Sequence, residues 1–117
     1  MAFNKSHLFD PEDQITSSMA HLLSHPARVD ILRFLAQNGS TSVEKLAVRY
    51  PLSKSTVSQH LEYFRKADLF HYQESYPHTF YSIDLQTFKE LNSKLMDYCL
   101  CLEQAIDLNL HSKLQLK

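Results

Sequence analysis

Pro51–Leu69, PLSKSTVSQHLEYFRKADL, is the stretch whose reading decides the fold. Ser53 is a good N-cap, so a helix is predicted from Lys54. At about 100° per residue, Val57, His60, Leu61 and Phe64 then fall on one side. Ser55, Ser58, Gln59, Glu62 and Lys66 fall on the other. The first half of the outward face therefore holds short hydrogen-bonding side chains and almost no carboxylate, whereas solvated faces usually carry Glu and Lys. A small polar face over an apolar stripe suits a helix that enters a DNA major groove. The alternative is an ordinary solvated face.

Immediately upstream, Tyr50-Pro51-Leu52 is a turn, and Val43, Leu46 and Ala47 form the inner face of a short helix capped by Thr41 or Ser42. Two short helices joined by a tight turn make a helix-turn-helix. Ser40-Thr41-Ser42 is a polar link or a minimal strand. Before it, Val29, Ile31, Leu32, Phe34 and Leu35 lie on a helix that ends at Asn38-Gly39, a glycine stop signal. Ser24-His25-Pro26 separates that helix from an earlier one, because the residue before proline is pushed away from helical angles. The earlier helix starts at Asp10-Pro11-Glu12-Asp13 and carries Ile15, Met19, Leu22 and Leu23.

Downstream of Leu69 the apolar period changes from about 3.6 to about 2. Phe70–Glu74 and Thr79–Ile83 are rich in aromatic and β-branched residues and flank Ser75-Tyr76-Pro77-His78, so a β-hairpin is predicted. Helical spacing returns at Asp84 and runs through Leu85, Phe88, Leu91, Leu95, Tyr98, Leu102 and Ile106. A stripe this long calls for a second helix to pack against, in this chain or a partner.

At 117 residues the chain is one domain. Its net charge is −1, yet Ser40–Lys66 holds five bases and two acids, a surplus of +3 where the DNA reading needs it. The single glycine, Gly39, excludes a P-loop or a dinucleotide-binding fingerprint. There are no paired carboxylates at a credible site, no nucleophile beside a base and no cofactor loop, so no enzyme and no cofactor are expected. No apolar run approaches the roughly 20 residues of a membrane span, and MAFNKSHLFDPED lacks a signal-peptide core. A cytoplasmic protein without membrane contact is the expectation.

Three motifs give this order of elements a closer match. Ser24-His25-Pro26-Ala27-Arg28-Val29-Asp30-Ile31-Leu32 is similar to a "D-P-x-R-x-x-I-L" helix opening, Leu52–Leu61 to a recognition helix with "S-x-H-L", and Ala67-Asp68-Leu69 to an "A-G-L" before the wing. Over roughly residues 13–106 the chain resembles the ArsR/SmtB family of bacterial transcriptional repressors. The resemblance implies a mainly α fold with a small β-hairpin: a winged helix-turn-helix with N- and C-terminal dimerisation helices. It divides the chain into an arm and helix (1–24), a winged core (25–83) and a dimerisation helix with tail (84–117). It also implies a homodimer on a palindromic operator in double-stranded DNA, with Ile15, Met19, Leu22, Leu91, Leu95, Tyr98, Leu102 and Ile106 at the interface. The sequence names no effector.

Two departures stand out. Asp68 replaces the usual glycine, so it is expected in a left-handed turn, which Asp tolerates better than most residues. The wing tip, Ser75–Thr79, holds no Lys or Arg, leaving its DNA contacts to Tyr76, His78 and Thr79.

The expected DNA-binding residues are Lys54, Ser55, Thr56, Ser58, Gln59 and His78. Gln59 is the best reader of a base edge, since Gln pairs bidentately with adenine. Lys54 sits at the helix start, where phosphate also meets free N–H groups. His60, at the edge of the stripe, is read as packing rather than as a ligand. Arg28 and Arg33 either touch phosphates or pair with acids such as Asp30, and a structural role is favoured.

Relatives in this family often sense metals, but Val43–Val48 has no Cys or His to do so. On the last helix Asp97, Cys99 and His111 are the candidates, and Glu103, Asp107 and His111 share a face at steps of four, as an ordinary solvated face also does; no metal is expected. Cys99 and Cys101 stand about 200° apart on a helix and cannot easily share one ion. Free cysteines at a dimer seam are the favoured reading, with a redox role for Cys101 as the alternative. The runner-up function is a winged-helix protein–protein interaction module in which DNA binding is weakened or lost.

Overall fold

The computed structural model describes residues 8–115. Residues 1–7, which hold most of the N-terminal stretch read from the sequence, lie outside the described residues, as does the end of the tail. Asp10 caps α1 (Pro11–Leu22): its Oδ1 accepts from the Glu12 N–H at 2.8 Å, and proline fills the first helical position. His25 caps α2 (Pro26–Asn38) through Nδ1, which accepts from the Ala27 N–H at 3.0 Å. Gly39, at φ 75°, ends α2 in the left-handed region that glycine enters without strain. Ser42 caps the short α3 (Val43–Ala47), and Ser53 caps α4 (Lys54–Lys66).

Helix α4 stops in a Schellman turn. The Leu69 N–H donates to the Phe64 carbonyl and the Asp68 N–H to the Arg65 carbonyl, both at 3.0 Å. Asp68 takes the left-handed position at φ 60°, which Asp tolerates better than most residues. The chain then runs into β2 (Phe70–Ser75) and β3 (His78–Ile83). This hairpin is longer than the sequence implies. Ser75 pairs with His78, so the turn is Tyr76-Pro77 alone. The wing is also more than a hairpin, because β1 (Thr41–Ser42) adds to β3 and gives an antiparallel sheet of order β1-β3-β2.

Asp84 caps α5 (Leu85–Gln115) by accepting from the Gln86 and Thr87 N–H groups. Among the described residues, no helix is long and apolar enough to cross a membrane. The core gathers Met19 and Leu22 of α1, Ile31 and Leu35 of α2, Val43 and Leu46 of α3, Val57, Leu61 and Phe64 of α4, and Leu69, Phe70 and Tyr81 around the wing. Phe64 stacks on Phe70 with ring centroids 4.3 Å apart, which ties the recognition helix to the wing.

That core corrects part of the expected interface. Met19 and Leu22 are 3% and 2% exposed and belong to the protomer's own interior. The helical spacing of α1 marks them as buried but cannot say by what, and within the protomer α5 packs against α1. Leu91 and Leu95 are half-buried against the same core, and Ile15 is half-buried on α1. Tyr98, Leu102 and Ile106 are exposed.

Candidate nucleic-acid interface

The outer face of α4 begins in a cluster of hydroxyls. Ser53 Oγ accepts from the Thr56 N–H at 3.1 Å and lies 3.0 Å from Ser55 Oγ and 2.9 Å from Thr56 Oγ1. The cap thus draws the Thr56 side chain inward, and Thr56 and Ser58 are half-buried. Ser55 and Gln59 are exposed, so of the expected readers these two are freest to meet a base edge. A recess of about 570 Å³ lies along this face, with Gln59, Thr56 and His60 on one wall and Arg28, Tyr63 and Lys66 around it.

The positive surplus of this region is largely spoken for. Arg65 Nε donates to both Glu62 oxygens, at 2.7 and 3.0 Å, and its guanidinium lies 5.1 Å from the Tyr72 ring centroid, bracing α4 against β2. Arg49 Nη2 donates to Asp30 at 3.0 Å and stacks over Phe34. Tyr50 donates to the same Asp30 oxygen at 2.6 Å. These partners, Tyr50 first and Arg49 next, hold the Asp30 carboxyl below its usual range. They anchor the turn between α3 and α4 to α2. Arg33 reaches Asp30 more loosely, at 3.4 Å. Lys45 and Lys66 make no ion pair among the described residues, although Lys45 lies 5.9 Å over the Phe34 ring.

Lys54 and His78, both expected at DNA, meet at one carboxylate. Lys54 Nζ donates to Glu44 Oε1 at 2.7 Å, and His78 Nδ1 stands 3.2 Å from Glu44 Oε2. Lys54 first, with the neighbouring backbone and His78, holds the Glu44 carboxyl at about 2. The sequence reading missed Glu44, which is separated from Lys54 by 10 positions and reaches His78 only through the sheet. Tyr76, at the tip of the wing, is 99% exposed.

Arg28 takes the structural role. It is buried, its Nη1 donates to the His21 carbonyl at 3.1 Å, and its guanidinium lies 4.4 Å from the Tyr63 ring centroid. His60 packs its ring on His25 with centroids 4.5 Å apart. Burial first, then the charges of His25 and Arg28, lower its pKa. On α5, Asp97 and His111 are about 21 Å apart along one helix. Among the described residues no cluster of three metal-ligating side chains forms. Cys99 and Cys101 are both exposed and free.

Residues 25–72 match the family model described as bacterial regulatory protein, arsR family. Among solved structures, the chain is similar to a possible transcriptional regulator for arsenical resistance, at 25% identity over 69% of this chain and 83% of that one, with a TM-score of 0.65. It is similar to reduced HlyU from Vibrio cholerae, at 25% identity over 74% and 92% of the two chains and a TM-score of 0.59. The fold is shared with an ArsR-like transcriptional regulator from Rhodococcus sp. RHA1, at 20% identity over 89% and 93% and a TM-score of 0.64. No curated protein matches the sequence.

Proposed function

We propose that this chain, whose residues 25–72 match the arsR family model of bacterial regulatory proteins, acts as a homodimer on a palindromic operator and represses by occluding a promoter. The family makes it a DNA-binding transcriptional regulator with a winged helix-turn-helix. The finer reading rests above all on α4: a capped helix whose exposed face presents Ser55 and Gln59 beside the wing. In this reading Gln59 and Ser55 meet base edges, Lys54 and His78 meet phosphates, and Thr56 and Ser58 shape the contact. The second support is α5, whose outer half carries Tyr98, Leu102 and Ile106 exposed and in line, a face suited to the same face of a second copy. The protein then works in the cytoplasm, on the chromosome.

The test starts with sequences selected from a random pool of duplex DNA, followed by a salt titration on the selected site. Binding should weaken steeply with salt, with a slope near −0.9 per phosphate neutralised. Gln59→Ala should lower affinity for the selected site by about 1–3 kcal/mol and leave random DNA nearly unaffected. An affinity indifferent to salt and to Gln59→Ala would overturn the reading. One observation favours a second reading, a protein-contact module: three of the five bases between Ser40 and Lys66 are already ion-paired. Under that reading no selected DNA sequence emerges.

A further inference from the structure

We propose that Glu44 restrains DNA binding: in the free protein its carboxylate engages Lys54 and faces His78, as an internal stand-in for phosphate. The inference rests on the DNA-binding reading above and adds a residue to it.

Three elements converge on Glu44. It stands in the first turn of α3, Lys54 is the first residue of α4, and His78 is the first residue of β3 beside the wing turn. Its Oε1 accepts from Lys54 Nζ at 2.7 Å, and its Oε2, shut off from solvent and without a hydrogen-bond partner among the described residues, faces His78 Nδ1 at 3.2 Å. To an ammonium or an imidazolium, a carboxylate and a phosphate offer the same ligand, a pair of anionic oxygens. The start of α4 is where phosphate meets free N–H groups, and the reading proposed above sets both Lys54 and His78 at phosphates. Glu44 therefore occupies the groups a phosphate would engage and adds a negative charge where the phosphate must come. The exchange needs no unfolding, because the Lys54 side chain is 59% exposed and that of His78 48%.

Two consequences follow. Fewer counterions are released when this protein binds than its count of bases implies, since Lys54 trades one anion for another. And removing the carboxylate strengthens binding to every sequence alike, because phosphate contacts carry no base information.

The experiment compares wild type with Glu44→Gln on the selected duplex and on a random one, over a range of salt. Glu44→Gln should bind both duplexes about three- to tenfold more tightly at low salt, with a salt slope steeper by about 1. In the Glu44→Gln/Lys54→Gln double variant the gain should disappear. A thermal melt accompanies each variant, and Glu44→Ala, which also removes the carboxylate, repeats the comparison if the amide destabilises the fold. Wild-type and Glu44→Gln curves that coincide, or a Glu44→Gln that binds more weakly, overturn the proposal while the DNA reading stands. A gain on the selected duplex alone also overturns it. A wild type that binds neither duplex overturns both.

Discussion

Helices α4 and α5 carry apolar stripes of the same spacing, and the fold treats them differently. In α4 the stripe is sealed from end to end, with Val57, Leu61 and Phe64 at 0% exposure. Its opposite face stays polar and open. In α5 the stripe is covered only through Phe88, Leu91 and Leu95, which pack on the core. Beyond them Tyr98, Leu102, Ile106 and Leu110 remain 44–59% exposed along some 19 residues, or about 28 Å, of projecting helix. This projection gives the protomer its 68 Å long axis. A periodic stripe thus says that a face is to be buried, not which chain buries it. One helix is completed by its own fold and keeps a polar face free; the other still has an apolar face to bury.

The contrast can be broken most sharply at Phe64. Stacked on Phe70 and fully buried, it closes the stripe of α4 against the wing. Phe64→Ala should lower stability by about 3–5 kcal/mol, through lost burial and the cavity left behind, measured by urea unfolding. A loss under about 1 kcal/mol would show that α4 is not held as described.

The next test is on α5. Ile106→Glu places a charge on the exposed part of the stripe, where Ile106 is 59% exposed and stands outside the core of the described residues. The variant should sediment as a monomer while wild type sediments as a dimer, and it should lose at least about tenfold in operator affinity because one particle no longer holds both half-sites. A dimer that survives Ile106→Glu would place the interface elsewhere. Cutting the chain at Asp84 is a poorer test, since it also strips Phe88, Leu91 and Leu95 from the core.

How much of this was legible follows from the range of each interaction. The caps at Asp10, Ser42 and Ser53, the stop at Gly39 and the left-handed Asp68 are local and were readable from a few neighbouring residues. So was the inner face of α4, because one helix turn repeats it. The wing was misjudged in length because it projects into solvent: of β2 only Phe70 is buried, so no alternating pattern marks where the strand ends. Met19 and Leu22 were assigned to a partner because periodicity does not name the neighbour. The Glu44–Lys54–His78 and His25–His60 contacts join residues far apart in sequence, and no local pattern announces such pairs.

The smallest expected effect sits where the sealed stripe of α4 turns polar. His60 faces His25 from the start of α2 and Arg28 from its first turn, with Tyr63 one turn along α4 beside His21. Burial, then His25 and Arg28, depress its pKa below the ordinary 6.5, so the unfolded chain binds this proton more readily than the folded one. His60 therefore favours the fold fully above the unfolded value, and that contribution is lost as pH falls through the lowered one. His60→Gln should flatten the acid limb of the thermal midpoint measured between about pH 8 and pH 5. Glu44, whose carboxyl near 2 stays ionised throughout that range, is unchanged in the variant and cancels from the comparison. If the wild-type and His60→Gln midpoints instead run parallel, the packing of His60 against His25 does not couple protonation to folding, and the stripe of α4 ends one residue sooner.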